Sequence, residues 1–549
     1  MTVMGRILIY LGVFAAAASA VTALWAWLGR PVDMADAPGG RFECLSYAPT
    51  TADGHPLMGP DYDLPPGLIE RDLEALSKLT GCVRTYSSYG VQADVLPAAA
   101  KLGMKVLLGI WIGTEDKQNK IEIAAALRAA ARHPEAVRAI VVGNEVLLRR
   151  EMTGRRLAGI IQDIRTRTKL PLAYADVFDF WERHPAVAEA VDLMLIHVLP
   201  YWDDPAPRSV RAAQDGVRAT VARARTVFPH ARIEIGETGW PSAGRTRGQG
   251  VPSRVNQARF LREFAAQAQT LGVPYNVVEA VDQPWKRVPE GTVGGFWGVL
   301  DADRAAKFPL AGPVREWPDW PLAAGFSAML CLLFQAGLAA ARRQAGAAAV
   351  LGVGVTGGAT GTCLWMLAAQ VDAAAVGFLG GLGGVYLMLL VAGGGGLLAA
   401  QLARLPVLDG LQPAPLGDVL EGVAGCRLSR DQALGLIRWA VLLPAGVLAL
   451  ALAADGRHRD FLPLAFILPG LALALLAWRG RGVQASRPED AWVAMLLAVT
   501  GPLAVDAPGN LEALAWAGTC LLLALPGLPA ALGELRFLGR ALAAQGQSN

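Results

Sequence analysis

Eight short β-rich runs, each followed by a stretch with helical spacing of apolar residues, recur between Phe42 and Phe308. No other feature limits the fold as much. The runs are Phe42–Tyr47, Cys82–Tyr86, Lys105–Trp111, Ala139–Val142, Pro171–Ala175, Asp192–Val198, Arg232–Gly236 and Tyr275–Val281. Segments such as Ile121–Arg132, Thr153–Thr168, Ser209–Val227 and Ser253–Leu271 separate them. Eight strands separated by helices predict a closed parallel (β/α)8 TIM barrel, an α/β fold. The competing open doubly wound sheet wants a glycine-rich phosphate turn after its first strand, where Ser46-Tyr47-Ala48-Pro49 stands instead.

The rest of the chain is of another kind. Its 549 residues are 53% hydrophobic and 18% charged, but from Pro321 onward Leu, Ala, Gly and Val dominate and long stretches carry no charge. Candidate membrane spans are Pro321–Ala341, Ala347–Leu367, Ala374–Ala400, Trp439–Ala454, Phe461–Trp478, Ala491–Val505 and Ala513–Leu532. Ile7–Leu28 would reach about 33 Å as a helix. Its length favours an uncleaved anchor over a secretory signal with a site at Ala18-Ser19-Ala20. About eight spans are therefore expected, in three parts: an anchor and linker over 1–39, the barrel over 40–318, and an α-helical transmembrane bundle over 319–549. Trp317–Pro321 (WPDWP) reads as an interfacial belt at the boundary.

With the N-terminus inside, Arg342/Arg343, Arg404/Arg427/Arg430, Arg479/Arg481/Arg487 and Arg536/Arg540 all fall on the cytoplasmic side. The outward loops Gln370–Ala373 and Asp506–Asn510 carry no Lys or Arg, and Arg457 and Arg459 alone break the pattern. This places the barrel on the outer side. A net charge of +3 without an arginine run excludes a nucleic-acid partner. Six cysteines are too few for a disulfide scaffold, although export would permit one bridge between Cys44 and Cys82.

Two predicted strands end in acids. Ile233–Gly236 stops at Glu237, followed by the abrupt turn Thr238-Gly239-Trp240-Pro241, and Ala139–Val142 ends in Gly143-Asn144-Glu145. Carboxylates on two strand ends of a barrel are the minimum equipment for retaining glycosidic chemistry. VVGNEV (Val141–Val146), GETGWPS (Gly236–Ser242) and EAVDQPWK (Glu279–Lys286), in the right order and at strand ends, together resemble glycoside hydrolase family 17 over Phe42–Phe308. The resemblance implies a retaining β-1,3-glucan-active barrel enzyme. Its nucleophile falls on Glu237 and its acid/base on Glu145, which should be protonated at rest. Asn144 should hold the 2-hydroxyl of the reacting sugar, and Tyr47, Arg84 and Tyr86 should line the cleaving subsite. Arg84 is suited to keep Glu237 charged.

The chain departs from the family pattern twice. Leu199 replaces a tyrosine before Pro200, so a hydrogen bond to the nucleophile must come from elsewhere, with His197 or Tyr201 as candidates. Gln283 replaces an acid, which leaves Glu145 as the proton donor. Glu279, Asp282 and Lys286 are expected to form an ion-pairing cluster near the nucleophile. Trp202, Trp240, Trp285 and Trp297 supply indoles for sugar stacking or for barrel packing. The six histidines show no pair at ligand spacing, so neither metal nor cofactor is expected.

Gly380–Gly384 and Gly393–Gly396 within one span read as close helix packing, with a broken helix lining a polysaccharide path as the sharper alternative. The expectation is a protein of the inner membrane of a diderm bacterium, with a periplasmic barrel. Its partners would be β-1,3-glucan, the lipid bilayer and a glucan synthase or export complex. Its activity would be glucanosyl transfer, with plain hydrolysis or non-catalytic glucan binding as the alternatives.

Overall fold

The computed structural model describes residues 3–204, 207–341, 345–479 and 488–546, with side chains to 537. Arg342, Arg343, Arg481, Arg487 and the side chain of Arg540, used above for orientation, lie outside the described residues. The chain forms two compact units, Pro31–Arg315 and Met1–Arg30 with Glu316–Asn549.

In the first unit eight parallel strands close into a barrel in sequence order. They are β1 (Cys44–Ser46), β2 (Cys82–Arg84), β3 (Lys105–Ile110), β4 (Val137–Asn144), β5 (Leu172–Val177), β6 (Leu193–His197), β7 (Ile233–Thr238) and β8 (Tyr275–Val277). The strands are buried on both faces, which is why they read as continuous apolar runs rather than alternating ones. One inner cluster is small and tight, with Cys44, Cys82, Leu107, Ala139, Val141, Ala173, Ala175, Leu193 and Leu195. A larger shell, including Leu73, Val106, Ile140, Ile161, Val217 and Phe264, fills the space between strands and helices. The Cys44–Cys82 disulfide joins β1 to β2 across a sequence separation of 38.

Residues 31–39, read from the sequence as linker, are bound into the barrel unit. Val32 bridges Val314. Arg262, fully buried on the helix Arg254–Leu271, donates to Ala35 O (2.6 Å), Asp36 Oδ1 (2.6 Å) and Gly312 O (2.8 Å). A buried guanidinium needs such acceptors, and the two chain segments supply them.

The second unit is helical. Among the described residues six helices are long and apolar enough to cross a membrane: Met4–Leu28, Trp320–Ala341, Ala347–Ala374, Gly377–Leu402, Arg430–Ala454 and Leu511–Phe537. Two further expected spans are the shorter helices Pro463–Arg479 (17 residues) and Pro488–Leu503 (16 residues). The glycine-rich span is one continuous helix of 26 residues, which overturns the broken-helix alternative. Gly384, Gly394 and Gly395 serve close approach to neighbouring helices. A Cβ on Gly394 would sit 2.6 Å from Pro469, and one on Gly361 of the neighbouring helix 2.6 Å from Ser327 Cα.

Candidate functional site

The site is built where β4 and β7 lose regular register. The β4–β5 ladder shifts between Val141 and Asn144, and the β7–β8 ladder between Ile235 and Thr238. Such irregularities re-aim a side chain at the end of a strand. At β4 the backbone turns through positive φ at Gly143 (93°) and again at Glu145 (52°), while Glu145 N–H still donates to Ala175 O at 2.8 Å. A side chain held in the left-handed region costs about 1–3 kcal/mol and persists where the surroundings impose it. Here the turn delivers the Glu145 carboxyl to the barrel mouth. At β7, His197 pairs with Glu237, and Val198 N–H donates to Glu237 O.

The two carboxyls meet. Glu145 and Glu237 each bring an oxygen within 4.8 Å of the other and of a His197 ring nitrogen. Arg84, at the end of β2 and 1% exposed, organises the cluster. Its Nη1 donates to Glu237 Oε1 (2.9 Å) and Gly236 O (2.7 Å), and its Nη2 to Asn144 Oδ1 (2.5 Å). Tyr86 O–H donates to the same Glu237 Oε1 at 2.9 Å, and Ser46 Oγ lies 3.0 Å from the phenol oxygen. Burial, then the Glu237 charge, push the Tyr86 phenol well above its ordinary pKa, so it stays a donor. The hydrogen bond missing at Leu199 is thus supplied by Tyr86, two residues past β2, not by His197 or Tyr201.

His197, its side chain wholly buried, places Nδ1 2.8 Å from Glu145 Oε1 and Nε2 3.7 Å from Glu237 Oε1. Burial works to raise the Glu145 carboxyl. The hydrogen bond and charge of His197, with Arg84 and Arg149, outweigh it and hold the group below its ordinary range. Its neighbours are thus cations and donors. Three potential ligand groups also converge here from β4, β6 and β7, which sequence spacing could not reveal. The Arg84 guanidinium shares their space, 3.4 Å from His197 Nε2, and a fixed cation competes with a metal ion for the same lone pairs.

Other expected site residues are placed differently. Tyr47 is buried and donates to Asp72 Oδ2 (2.9 Å), which Arg304 clamps. Tyr201 is buried, donates to Arg245 O (2.6 Å) and packs edge-on against Trp240 and Trp297. Trp240 is fully buried with its N–H on Val251 O, and Trp297 is 4% exposed. These four are packing residues with no face open to a sugar. Trp202, half-buried, stacks on Trp297 and is the outward member of that group. Trp285, also half-buried, stacks on His55 and donates to Gln283 Oε1.

The acidic cluster after β8 splits into two pairs. Lys286 binds Glu279 Oε2 (2.8 Å), which Gln283 Nε2 also contacts, whereas Asp282 turns away to Lys307 (2.8 Å) and Gly298 N–H (2.7 Å). Burial pushes Glu279 up to about 7 and Asp282 up to about 6, against the pull of their lysines. Asp282 is therefore a structural partner, while Glu279 and Lys286 stay electrically close to Tyr86 and Glu237.

Sequence reasoning passed over three residues. Arg149 donates to Asn144 O, to Ile112 O (2.8 Å) and to Glu151 (2.9 Å), fixing the Glu145 loop. Asp176 on β5 accepts from Tyr174 O–H and Val177 N–H behind that loop. Trp111, just past β3 and 39% exposed, carries the Arg149 guanidinium 4.3 Å from its ring centre. Its position one residue beyond a strand end was the available signal.

A closed parallel barrel whose mouth holds two facing carboxyls, one clamped by arginine and tyrosine, defines a barrel glycoside hydrolase. Comparison with known proteins agrees. The BtgE/BtgC glycoside hydrolase domain matches residues 44–298. A glucan 1,3-beta-glucosidase of Arthroderma benhamiae is 30% identical over 267 residues, covering 46% of this chain and 86% of that protein. The Saccharomyces cerevisiae glucan 1,3-beta-glucosidase is 27% identical over 267 residues, covering 44% of this chain and 84% of its own. A solved family 17 β-1,3-glucanosyltransferase from Rhizomucor miehei is 25% identical, covering 48% of this chain and 95% of that one, with a TM-score of 0.42. The chain belongs to glycoside hydrolase family 17.

Proposed function

We propose that the protein is a membrane-anchored, retaining β-1,3-glucan-active enzyme that transfers glucanosyl units through a covalent intermediate on Glu237. The observation that carries this reading is the approach of Glu145 and Glu237 within 4.8 Å at the ends of β4 and β7. That spacing suits direct attack by one carboxylate and leaves no room for an intervening water. Both hydrogen bonds on Glu237 go to Oε1, which leaves Oε2 to attack the anomeric carbon. Glu145 gives a proton to the departing glycosidic oxygen, then takes one from the acceptor hydroxyl in the second step. Arg84 occupies Asn144 Oδ1, so the Asn144 amide N–H2 is presented to the sugar 2-hydroxyl.

The substrate assignment rests on the kinship to glucan 1,3-beta-glucosidases. Residence in a bacterial inner membrane with an outward, periplasmic barrel rests on the six apolar helices and the arginine asymmetry of their loops. Tethering beside nascent glucan, next to a synthase or export complex, favours transfer over digestion. The test is to incubate the full chain in detergent with β-1,3-oligosaccharides of one length and size the products. Chains longer than the substrate are expected. Shorter products alone would make it a hydrolase, and unchanged substrate would leave a glucan-binding subunit.

A further inference from the structure

We propose that Trp111 is a sugar-binding platform beside the cleaving subsite, taking the apolar face of a glucose unit near the one that reacts in a β-1,3-glucan chain. This rests on the reading of the site as glucan-active. Among the described residues of the barrel unit, Trp111 is the one tryptophan that is exposed rather than buried or half-buried. It follows the end of β3 directly, on the face where the strands deliver Glu145 and Glu237. An indole in water at that face forgoes the burial that Trp181, Trp240 and Trp297 obtain.

The ring is held rather than loose. Arg149 lies over one face, its guanidinium carbon 4.3 Å from the ring centre. That guanidinium is itself fixed, because it donates to Asn144 O, to Ile112 O (2.8 Å) and to Glu151 (2.9 Å). A reciprocal pair pins the loop: Gly113 N–H donates to Asn119 Oδ1 (2.8 Å), and Asn119 Nδ2 to Gly113 O (2.9 Å). A plate fixed in advance avoids the ordering cost that a mobile indole incurs on binding. With one face covered by Arg149, the other is the one a sugar can use. The same guanidinium separates the indole from the Asn144–Glu145 turn, so a sugar on the plate is a neighbour of the reacting one.

The rim of the plate carries the polar groups that a hydroxylated ring needs. The indole N–H has no hydrogen-bond partner among the described residues; the one hydrogen bond of Trp111 to a side chain runs from its backbone N–H to Glu122. Glu151 Oε2 and Trp111 Nε1 converge on Gly113, lying 3.4 and 4.0 Å from where a Cβ on that residue would stand. A glycine there keeps open the space between a donor and an acceptor. An apolar plate with a donor and an acceptor at its edge has the composition of a small-molecule subsite, and an indole suits the apolar face of a pyranose.

The test compares Trp111→Ala and Trp111→Phe with the unaltered full chain in detergent, on the shortest β-1,3-oligosaccharide turned over and on a long one. A plate outside the reacting centre binds ground state and transition state alike, so its loss raises KM and spares kcat. Trp111→Ala should raise KM for the long substrate roughly 10-fold, with kcat and the short substrate within about twofold. Trp111→Phe should recover most of that loss. A fall in kcat shared by both substrates would mean that the indole only seats Arg149 and the Glu145 loop. An unchanged KM for the long substrate would take it off the glucan path, and either result overturns the proposal.

A second measurement leaves Trp111 in place. In Glu237→Gln, oxidation of Trp111 by N-bromosuccinimide is followed by peptide mass. A long β-1,3-oligosaccharide should protect the indole and glucose should not; equal oxidation with and without the oligosaccharide refutes the assignment. If the unaltered protein neither cleaves nor binds any β-1,3-oligosaccharide, the underlying reading of the site fails as well.

Discussion

The two ends of the barrel use the same chemistry for opposite purposes. At the bottom, Arg138 near the start of β4 binds Glu43 (3.2 Å) and Glu234 (2.7 Å), and the disulfide joins the starts of β1 and β2. At the mouth, Arg84 binds Glu237 and Asn144, and His197 joins Glu145. Each end is an arginine among carboxylates. At the bottom one cation is shared by two acids and ties strands together. At the mouth the groups are held by bulged strands and a positive-φ backbone, with Glu237 Oε2 and the Asn144 amide left for a substrate. Closure of the charge network serves stability, and its incomplete closure at the mouth suits the proposed chemistry.

Substitutions at the two ends should therefore separate activity from stability. The largest effect is expected from Glu237→Gln, which should lower kcat/KM on β-1,3-oligosaccharides by roughly 10⁴-fold or more. Its melting transition should stay within a few degrees, because Arg84 keeps Gly236 O and Asn144 as acceptors. Retained turnover would break the comparison at its centre. Next, replacing Cys44 and Cys82 together by Ser should cost the barrel about 2–4 kcal/mol, read from its denaturation midpoint, since the bridge closes a loop of intermediate length. Specific activity of the folded fraction should be kept.

Arg138→Met should cost about 1–3 kcal/mol by leaving the largely buried Glu234 carboxylate without its cation, again with activity within about twofold. Its counterpart at the mouth is Tyr86→Phe, which removes one of two donors to Glu237 Oε1. This change should slow the reaction by roughly 10-fold and barely move the melting point. If Arg138→Met slows the reaction more than Tyr86→Phe does, the two ends are not functionally distinct.

The smallest effect concerns pH. Glu279 is raised to about 7 and Asp282 to about 6, both chiefly by burial. An acid with a raised folded pKa binds more protons in the folded state. Stability is therefore greatest below the ordinary carboxylate range and falls as pH rises from about 4 towards 7, where the slope ends. Melting scans over that window should show the fall, and Glu279→Gln should flatten its upper part. A slope of the opposite sign in the wild type would mean that lysine pairing, not burial, governs these two groups.

Much of this protein was legible in its residues. Period and strand length gave the eight-fold barrel, because a strand buried on both faces must be apolar throughout. Uncharged stretches of adequate length gave the helices of the second unit. The acids at Glu145 and Glu237 stood out because each ends an apolar run, and Arg84, Tyr86 and Asn144 followed from the family resemblance. The indoles show where that reading stopped. Trp240 and Trp297 looked like sugar plates, yet both are buried against Tyr201, because a sequence shows which residues are aromatic but not which way a loop turns them.

The disulfide, the split of the Glu279 and Asp282 pairs, and above all the seat of His197 between two acids were decided by tertiary structure alone. Glu145 follows β4, His197 ends β6 and Glu237 lies on β7, and only the folded barrel brings their polar atoms within 4.8 Å of one another. Proton affinity depends on distance in space, which falls off along no coordinate that the chain order records. The sequence determined which groups could carry charge; the closed barrel decided which of them face one another.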